Sequence, residues 1–177
     1  AVALENARHF QETRRLLAET EQRNAELAII NRIQQGLVAQ LDMQGIYELV
    51  GEEVRRIFSA QVVLLTGYDL PTGMATTHYA FELGERLVVH DMPIGVVGQT
   101  LIRTRQPLRV DTAAGFDALG IPILEGTASS QSALFVPLVV GESVKGSISV
   151  QNLDREYAYS DSNLRLLVTL ANSMSMA

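Results

Sequence analysis

Three histidines and a few clustered carboxylates and hydroxyls are the residues of this chain that could do chemistry. His9 stands in ARHFQET. A phosphate-accepting histidine is the sharp reading there, but the flanks do not match such a box and favour a solvated helix residue. His78 lies in an alternating segment, opposite Tyr79 and Phe81. It reads as a strand-surface residue before it reads as a haem or metal ligand. His90 is followed by Asp91, and a carboxylate there could orient a metal-bound imidazole; a polar strand end is the simpler reading. Asp154 and Glu156 could be paired carboxylates for acid–base work. They stand in NLDREYAYSD, which reads as a surface connection to a helix. The hydroxyl-rich TASSQS (Thr127–Ser132) could hydrogen-bond a polar ligand or form a plain loop.

Larger signatures are missing. There is no phosphate-binding glycine loop, dinucleotide fingerprint, HExxH, GxSxG or calcium loop. The sequence therefore assigns no catalytic and no metal-binding residue. It contains no cysteine, which removes disulfides, thiolate nucleophiles and thioether-linked cofactors. The formal charge is −6. Residues 1–41 carry five Arg and five Glu, so the excess acid lies in 42–177. Without a basic stripe, nucleic acid is not an expected partner. No apolar run approaches the roughly 20 residues that span a bilayer, and no signal peptide opens the chain. The chain begins at Ala1 inside a helical pattern and reads as a piece of a longer cytoplasmic protein.

These residues must be positioned by elements that the pattern suggests. From Ala1 to Leu41 there is no Pro and one Gly, and Ala, Leu, Glu, Gln and Arg dominate. Phe10, Leu17 and Asn24 recur every seven residues; Glu12 with Arg15 and Glu19 with Arg23 are helical ion-pair spacings. So polar a helix is a solvated rod or half of a coiled coil, and its need for a packing partner favours the coiled-coil homodimer. Asp42 is a good N-cap for a second helix ending near Phe58, with Ile46, Leu49, Val50, Val54 and Ile57 on one face. AQVVLLTGYD is a buried strand, and Asp69–Gly73 a turn. Met74–Glu82 alternates, placing Ala75, Thr77, Tyr79 and Phe81 together on one face. Glu85–His90 reads as a short strand, PIGVVGQTLIRTRQP as a short helix, and LRVDT as a brief strand. Ala113–Gln131 reads as a long irregular stretch. SALFVPLVV and ESVKGSISVQN form a hairpin whose Lys145, Ser147, Ser149 and Gln151 alternate with apolar residues, implying one exposed sheet face. Ser160 caps a last helix striped by Leu164, Leu167, Val168, Ala171 and Met174. The order implies an α+β domain with an antiparallel sheet.

IGVVGQTLIRTRQPLRVDT, SALFVPLVVGESVKGSISVQN and YSDSNLRLLVTLANSMSMA, in that order, resemble a GAF domain from Asp42 onward. The resemblance implies a central antiparallel sheet of five to six strands. Helices from both chain ends would pack on one face, and a ligand pocket would lie on the other. It also implies a place upstream of a histidine kinase, a nucleotide cyclase or another output domain. LANSMSMA at the end and AVALENARHF at the start are similar to the junction between tandem GAF repeats. Ala177 of one repeat would then correspond to Ala3 of the next, and residues 1–41 would be the tail of a preceding repeat.

Family activities can be tested residue by residue. Covalent bilin attachment and GAF-type methionine sulfoxide reduction both use cysteine, which is absent. The Asn-Lys-Phe-Asp-Glu signature of cyclic-nucleotide GAF domains is also absent; the only Lys is Lys145. The cofactor is therefore unknown. The resemblance places the pocket beneath the short helix and the Ala113–Gln131 stretch. Its candidate lining is Tyr79, Asp111, Phe116, Asp117, Ser130 and Ser132, although Tyr79 and Phe116 could equally be core. Two functions follow: a non-catalytic sensor whose pocket acts on the flanking helices, or a ligand-free dimerisation and signal-transmission spacer.

Overall fold

The computed structural model describes residues 43–123 and 127–175, together with Gln11, Glu12, Arg14–Leu16, Glu19, Thr20, Arg23, Leu27 and Ala28. The ten scattered positions are helical, and Arg23 pairs with Glu19 at 2.6 Å. The rest of the expected N-terminal helix, the Asp42 cap and the Ala177 register lie outside the described residues.

The elements are α1 (Met43–Phe58), β1 (Val62–Asp69), β2 (Met74–Glu82), β3 (Glu85–Arg86), β4 (Met92–Pro93), α2 (Val96–Thr104), β5 (Leu108–Val110), α3 (Ala113–Leu119), β6 (Ser132–Val140), β7 (Ser143–Asn152) and α4 (Asp161–Ser175). The strands form one sheet in the order β3-β2-β1-β7-β6-β5, with β4 on the far end of β2. Every pairing is antiparallel.

Alternation divides the sheet into two faces. Val63, Leu65, Leu134, Val136, Ile148 and Val150 point to one side and join Val50 and Val54 of α1 and Leu167, Leu170 and Ala171 of α4 in the main core. Ser160 caps α4 reciprocally: its Oγ accepts from Asn163 N at 3.2 Å, and its own N–H donates to Asn163 Oδ1 at 2.8 Å. The opposite face carries a smaller core of Leu101, Val110, Ala133 and Phe135 beneath α2 and α3.

Three expectations about the elements need correction. Ala113–Gln131 is not irregular throughout. Thr112 caps α3 by accepting from Gly115 N, and Gly120 closes it at φ 64°. The strand expected over Glu85–His90 pairs only at Glu85–Arg86, and Val88 is 89% exposed. Past Arg86, within that stretch, only the Leu87 N–H reaches β2, at the Ala80 carbonyl, and β2 itself carries a bulge. Leu65 faces Tyr79 and Thr66 faces Thr77, so His78 is the extra residue. Gln44 Nε2, rather than a strand partner, takes the His78 carbonyl at 3.2 Å.

The bulge also breaks the expected common face. Thr77 meets Thr66 across the sheet, Oγ1 to Oγ1 at 3.4 Å, on the α2 side. Tyr79 and Phe81 belong to the main core, on the α1 side. His78 follows them there and stacks on the Tyr47 ring at 4.2 Å and 3°. It is therefore not a free surface residue.

Burial lowers the His78 pKa, and the charge of Asp91 opposes that shift. A histidine depressed in the folded state adds stability above its unfolded pKa of about 6.5 and loses it as pH falls. Urea unfolding midpoints should drop as pH falls below about 6.5, and His78→Phe, which keeps the stack, should flatten that slope. An identical slope in both proteins would remove His78 as its source.

Candidate ligand site

The face under α2 is a polar floor on apolar strands. Across β2, β1, β7 and β6 the first row is Glu82, Val62, Gln151 and Ala133. The second is Ala80, Leu64, Ser149 and Phe135. The third is Thr77, Thr66, Ser147 and Pro137. Ser147 and Ser149, expected on an exposed face, are 7% and 3% exposed, and Glu82 is 9% exposed. α2 packs over β6 and β7, above the two serines, and Ala128 lies against Glu82. Gly98 lets α2 approach closely, since a methyl there would press on Ile94 and on the Tyr68 ring.

Hydrogen bonds bind cover to floor. Glu82 Oε1 accepts from Ala128 N at 2.8 Å. Ser130 Oγ donates to Gln151 Oε1 at 2.6 Å. Deeper in the floor, the Tyr68 and Ser147 hydroxyls meet at 2.8 Å. Burial raises the Tyr68 pKa against the lowering effect of that bond, so the phenol stays protonated.

The six candidate lining residues do not converge. Phe116 packs in the smaller core, and Ser130 meets Gln151 on the floor; both lie on the α2 side. Asp117 is exposed on α3. Asp111 is at the rim, where its carboxylate pairs with Arg109 Nε at 2.6 Å. Tyr79 and Ser132 lie on the other side of the sheet. Tyr79 is buried under α1; its hydroxyl donates to Glu52 Oε1 at 2.8 Å, and the Arg86 guanidinium lies 3.8 Å over its ring. Burial, then the Glu52 bond, pushes the Tyr79 pKa up to about 12. Ser132 Oγ donates to the Arg155 carbonyl at 2.7 Å and accepts from Ala158 N at 3.3 Å. Both residues point away because the bulge and the strand period turn them toward the helices.

Floor residues Glu82, Tyr68, Ser147, Ser149 and Gln151 were not among the candidates. Their polarity suggests solvent. The signal that could have found them is the stretch of chain between β5 and β6, which must lie over some part of the sheet.

Leu153–Ser160 is a strap between the covered face and α4. Leu153 N donates to Gln61 Oε1, and Gln61 Nε2 donates to Asp154 Oδ2. Glu156 Oε1 accepts from Ala113 N, the first residue of α3, at 3.0 Å. Tyr157 N donates to the Asp111 carbonyl at 2.7 Å. Arg109 reaches Asp161, the first residue of α4, at 2.8 Å. Asp154 and Glu156 thus hold backbone and amide partners and do not converge on a reacting centre. His90 and Asp91 are exposed, or nearly so, outside the strands. Among the described residues no group of three or more His, Cys, Asp or Glu could hold a metal ion. No helix among them is long and apolar enough to cross a membrane. A separate open groove of about 420 Å³ runs along Arg55, Arg56, Gln61 and Leu83.

One sheet face packed by helices from both ends of the domain, and the other roofed by short helices and a loop, make this a GAF-like α+β domain. A family model described as "GAF domain" matches residues 40–177, and the chain belongs to that family. No curated protein sequence matches it. Among solved structures it is similar to the GAF domain of an Acinetobacter phosphoenolpyruvate-protein phosphotransferase. The TM-score is 0.74 and the identity 20%, covering 86% of this chain and 92% of that one. It is also similar to residues 122 to 287 of a methyl-accepting chemotaxis protein, with TM-score 0.67, 16% identity, and 84% and 93% covered. A third is the free methionine-R-sulfoxide reductase of Neisseria meningitidis in complex with its substrate, with TM-score 0.68, 16% identity, and 85% and 86% covered.

Proposed function

We propose that this GAF domain is a non-catalytic sensor in a multidomain cytoplasmic signalling protein. It takes a small polar molecule between the Glu82–Gln151–Ser149 floor and its cover, and passes the event to the flanking helices. The observation that carries the reading is the buried polar floor whose cover is tied through the strap to the start of α4. Polar groups are costly to bury for packing alone. A floor of hydroxyls, amide and carboxylate beneath a separate cover suits a small molecule with few, placed polar contacts. A ligand that binds the two cover positions unequally would shift α4 by that difference in affinity. The domain acts as a homodimer paired through residues 1–41 and is followed by an output domain.

A specific observation favours the second reading, a ligand-free spacer. The Ala128–Glu82 and Ser130–Gln151 bonds already close the floor.

A thermal-shift screen of the full chain against metabolites and nucleotides separates the two. A binder at a hundredfold excess over its Kd should stabilise by about 2.7 kcal/mol. It should also change amide exchange in α4, and Glu156→Ala should weaken that change while leaving binding intact. A broad library without a hit would select the spacer. Light scattering on the same preparation tests the dimer, which should dissociate when residues 1–41 are removed.

A further inference from the structure

We infer that the groove where α1 ends is a binding site for a small organic oxyanion, a carboxylate or phosphate ester on a short apolar body. The groove holds about 420 Å³, within the range of small-molecule sites. It lies on the α1 side of the sheet, so the inference does not rest on the sensor reading of the covered floor.

The groove carries a charge opposite to that of the chain. The protein has a formal charge of −6. The charged residues on the groove's walls are Arg55 and Arg56, both from the last turn of α1. Each pairs with a glutamate one turn back. Glu52 Oε2 accepts from Arg55 Nε and Nη2 at 3.0 and 2.8 Å, and Glu53 Oε2 accepts from Arg56 Nη2 at 2.6 Å. A guanidinium has five N–H donors, so both keep donors for an oxyanion. Solvent-exposed pairs at this helical spacing are weak and yield to a better partner. The Arg55 guanidinium also lies 4.7 Å over the Phe81 ring, which holds it in place before any ligand arrives.

Leu83 is a second, independent mark. A two-residue loop, Leu83–Gly84, joins β2 to β3, with φ 47° and 97°. Loops with positive φ at both residues favour Asn-Gly, Asp-Gly or Gly-Gly. A leucine there crowds its Cβ against the following carbonyl and has no polar group to offset the strain. It gains little packing in return, because it is 62% exposed on the groove wall. Turn geometry and burial both disfavour leucine, whereas apolar contact with a bound molecule accounts for it. The helix dipole would explain two arginines at the end of α1. It does not explain Leu83 beside them. Gln61 of the same wall holds the start of the strap, through Leu153 N and Asp154 Oδ2, so occupancy should be felt there.

An amide NMR titration of the full chain tests this, with hydrocinnamate and phenethyl phosphate as probes. Hydrocinnamamide is the neutral isostere of the first, and inorganic phosphate is the head of the second without its body. At least one probe should shift the amides of residues 55–61 and 83–84, together with Leu153 and Asp154. Its control should bind at least about tenfold more weakly. Arg56→Gln should lose at least about tenfold in affinity for that probe. Leu83→Asn suits the turn, so it should keep or raise Tm while weakening the probe by at least about threefold. The ratio of probe to control on the wild-type chain needs no variant to fold. The inference is overturned if neither probe causes shifts at millimolar concentration, or if the controls bind as well as the probes. Shifts confined to Ser149 and Gln151 on the floor would also overturn it. So would a fall in Tm, or an unchanged affinity, in Leu83→Asn. None of these results bears on the metabolite screen that decides the sensor reading.

Discussion

Gly146→Val should unfold the domain at room temperature or bring it close to unfolding. Gly146 sits near the middle of β7, opposite Gly67 on β1 and Leu138 on β6. These are central strands, so β7 has a neighbour on each side. A side chain built on Gly146 would collide with the Thr66 carbonyl oxygen and crowd the Gly67 Cα, both backbone atoms of β1. Backbone cannot turn aside as a rotamer can. The strands must separate or slip, and a slip by one residue would turn the Ile148 and Val150 core face outward. Overpacking typically costs about 1–3 kcal/mol where side chains can adjust. Here they cannot, and about 3 kcal/mol or more is expected, a large part of a typical stability of about 5–15 kcal/mol. Gly95→Ala is the matched control, because a methyl there meets nothing within 4 Å and the backbone has φ −75°. It should change stability by less than about 1 kcal/mol. Urea denaturation of the three proteins measures this. Equal midpoints for Gly146→Val and wild type would show that the two strands have room that the geometry denies.

That glycine also shows where sequence reading ends. The helices α1 and α4 and the β6–β7 hairpin are legible because their apolar residues follow one period over many turns or pleats. β2 is not, since MATTHYAFE alternates plausibly in a single phase. Its actual phase changes at His78, and the cause lies on other elements. Gly51 of α1 leaves room for the Tyr79 ring, and Gly67 of β1 leaves room for the His78 ring. A residue-by-residue reading of β2 contains neither fact. The phase also decides where two candidate residues lie, since Tyr79 and Ser132 both face away from α2. At Ser147 and Ser149 the polar alternation implies water, whereas the fold lays α2 over them. Polarity tells which residues want hydrogen bonds, and only the fold tells whether water, cover or ligand supplies them. Phe116 and Ser130 lie on the α2 side because they belong to the stretch between β5 and β6 that lies over the sheet.

Leu101→Ala should destabilise the cover rather than the whole domain. Leu101 is fully buried, on the face of α2 that meets Val110, Ala133 and Phe135. It is the α2 member of that buried cluster, with Val97 half-buried beside it. Truncating a buried Leu to Ala costs about 2–5 kcal/mol, because the cavity adds to the lost transfer energy. α2 has nine residues and cannot persist as an isolated helix. Leu101 belongs to the smaller cluster and not to the main core, so α1, α4 and the strand residues packed between them keep their packing. The expected result is early amide exchange in residues 96–119, with the Val63, Ile148 and Leu167 amides still protected. A ligand that rests between cover and floor should then bind more weakly, by whatever energy is needed to dock α2 again. If exchange instead rises uniformly across α4 and β7, cover and core unfold as one unit. The covered face would then have no separate motion with which to signal.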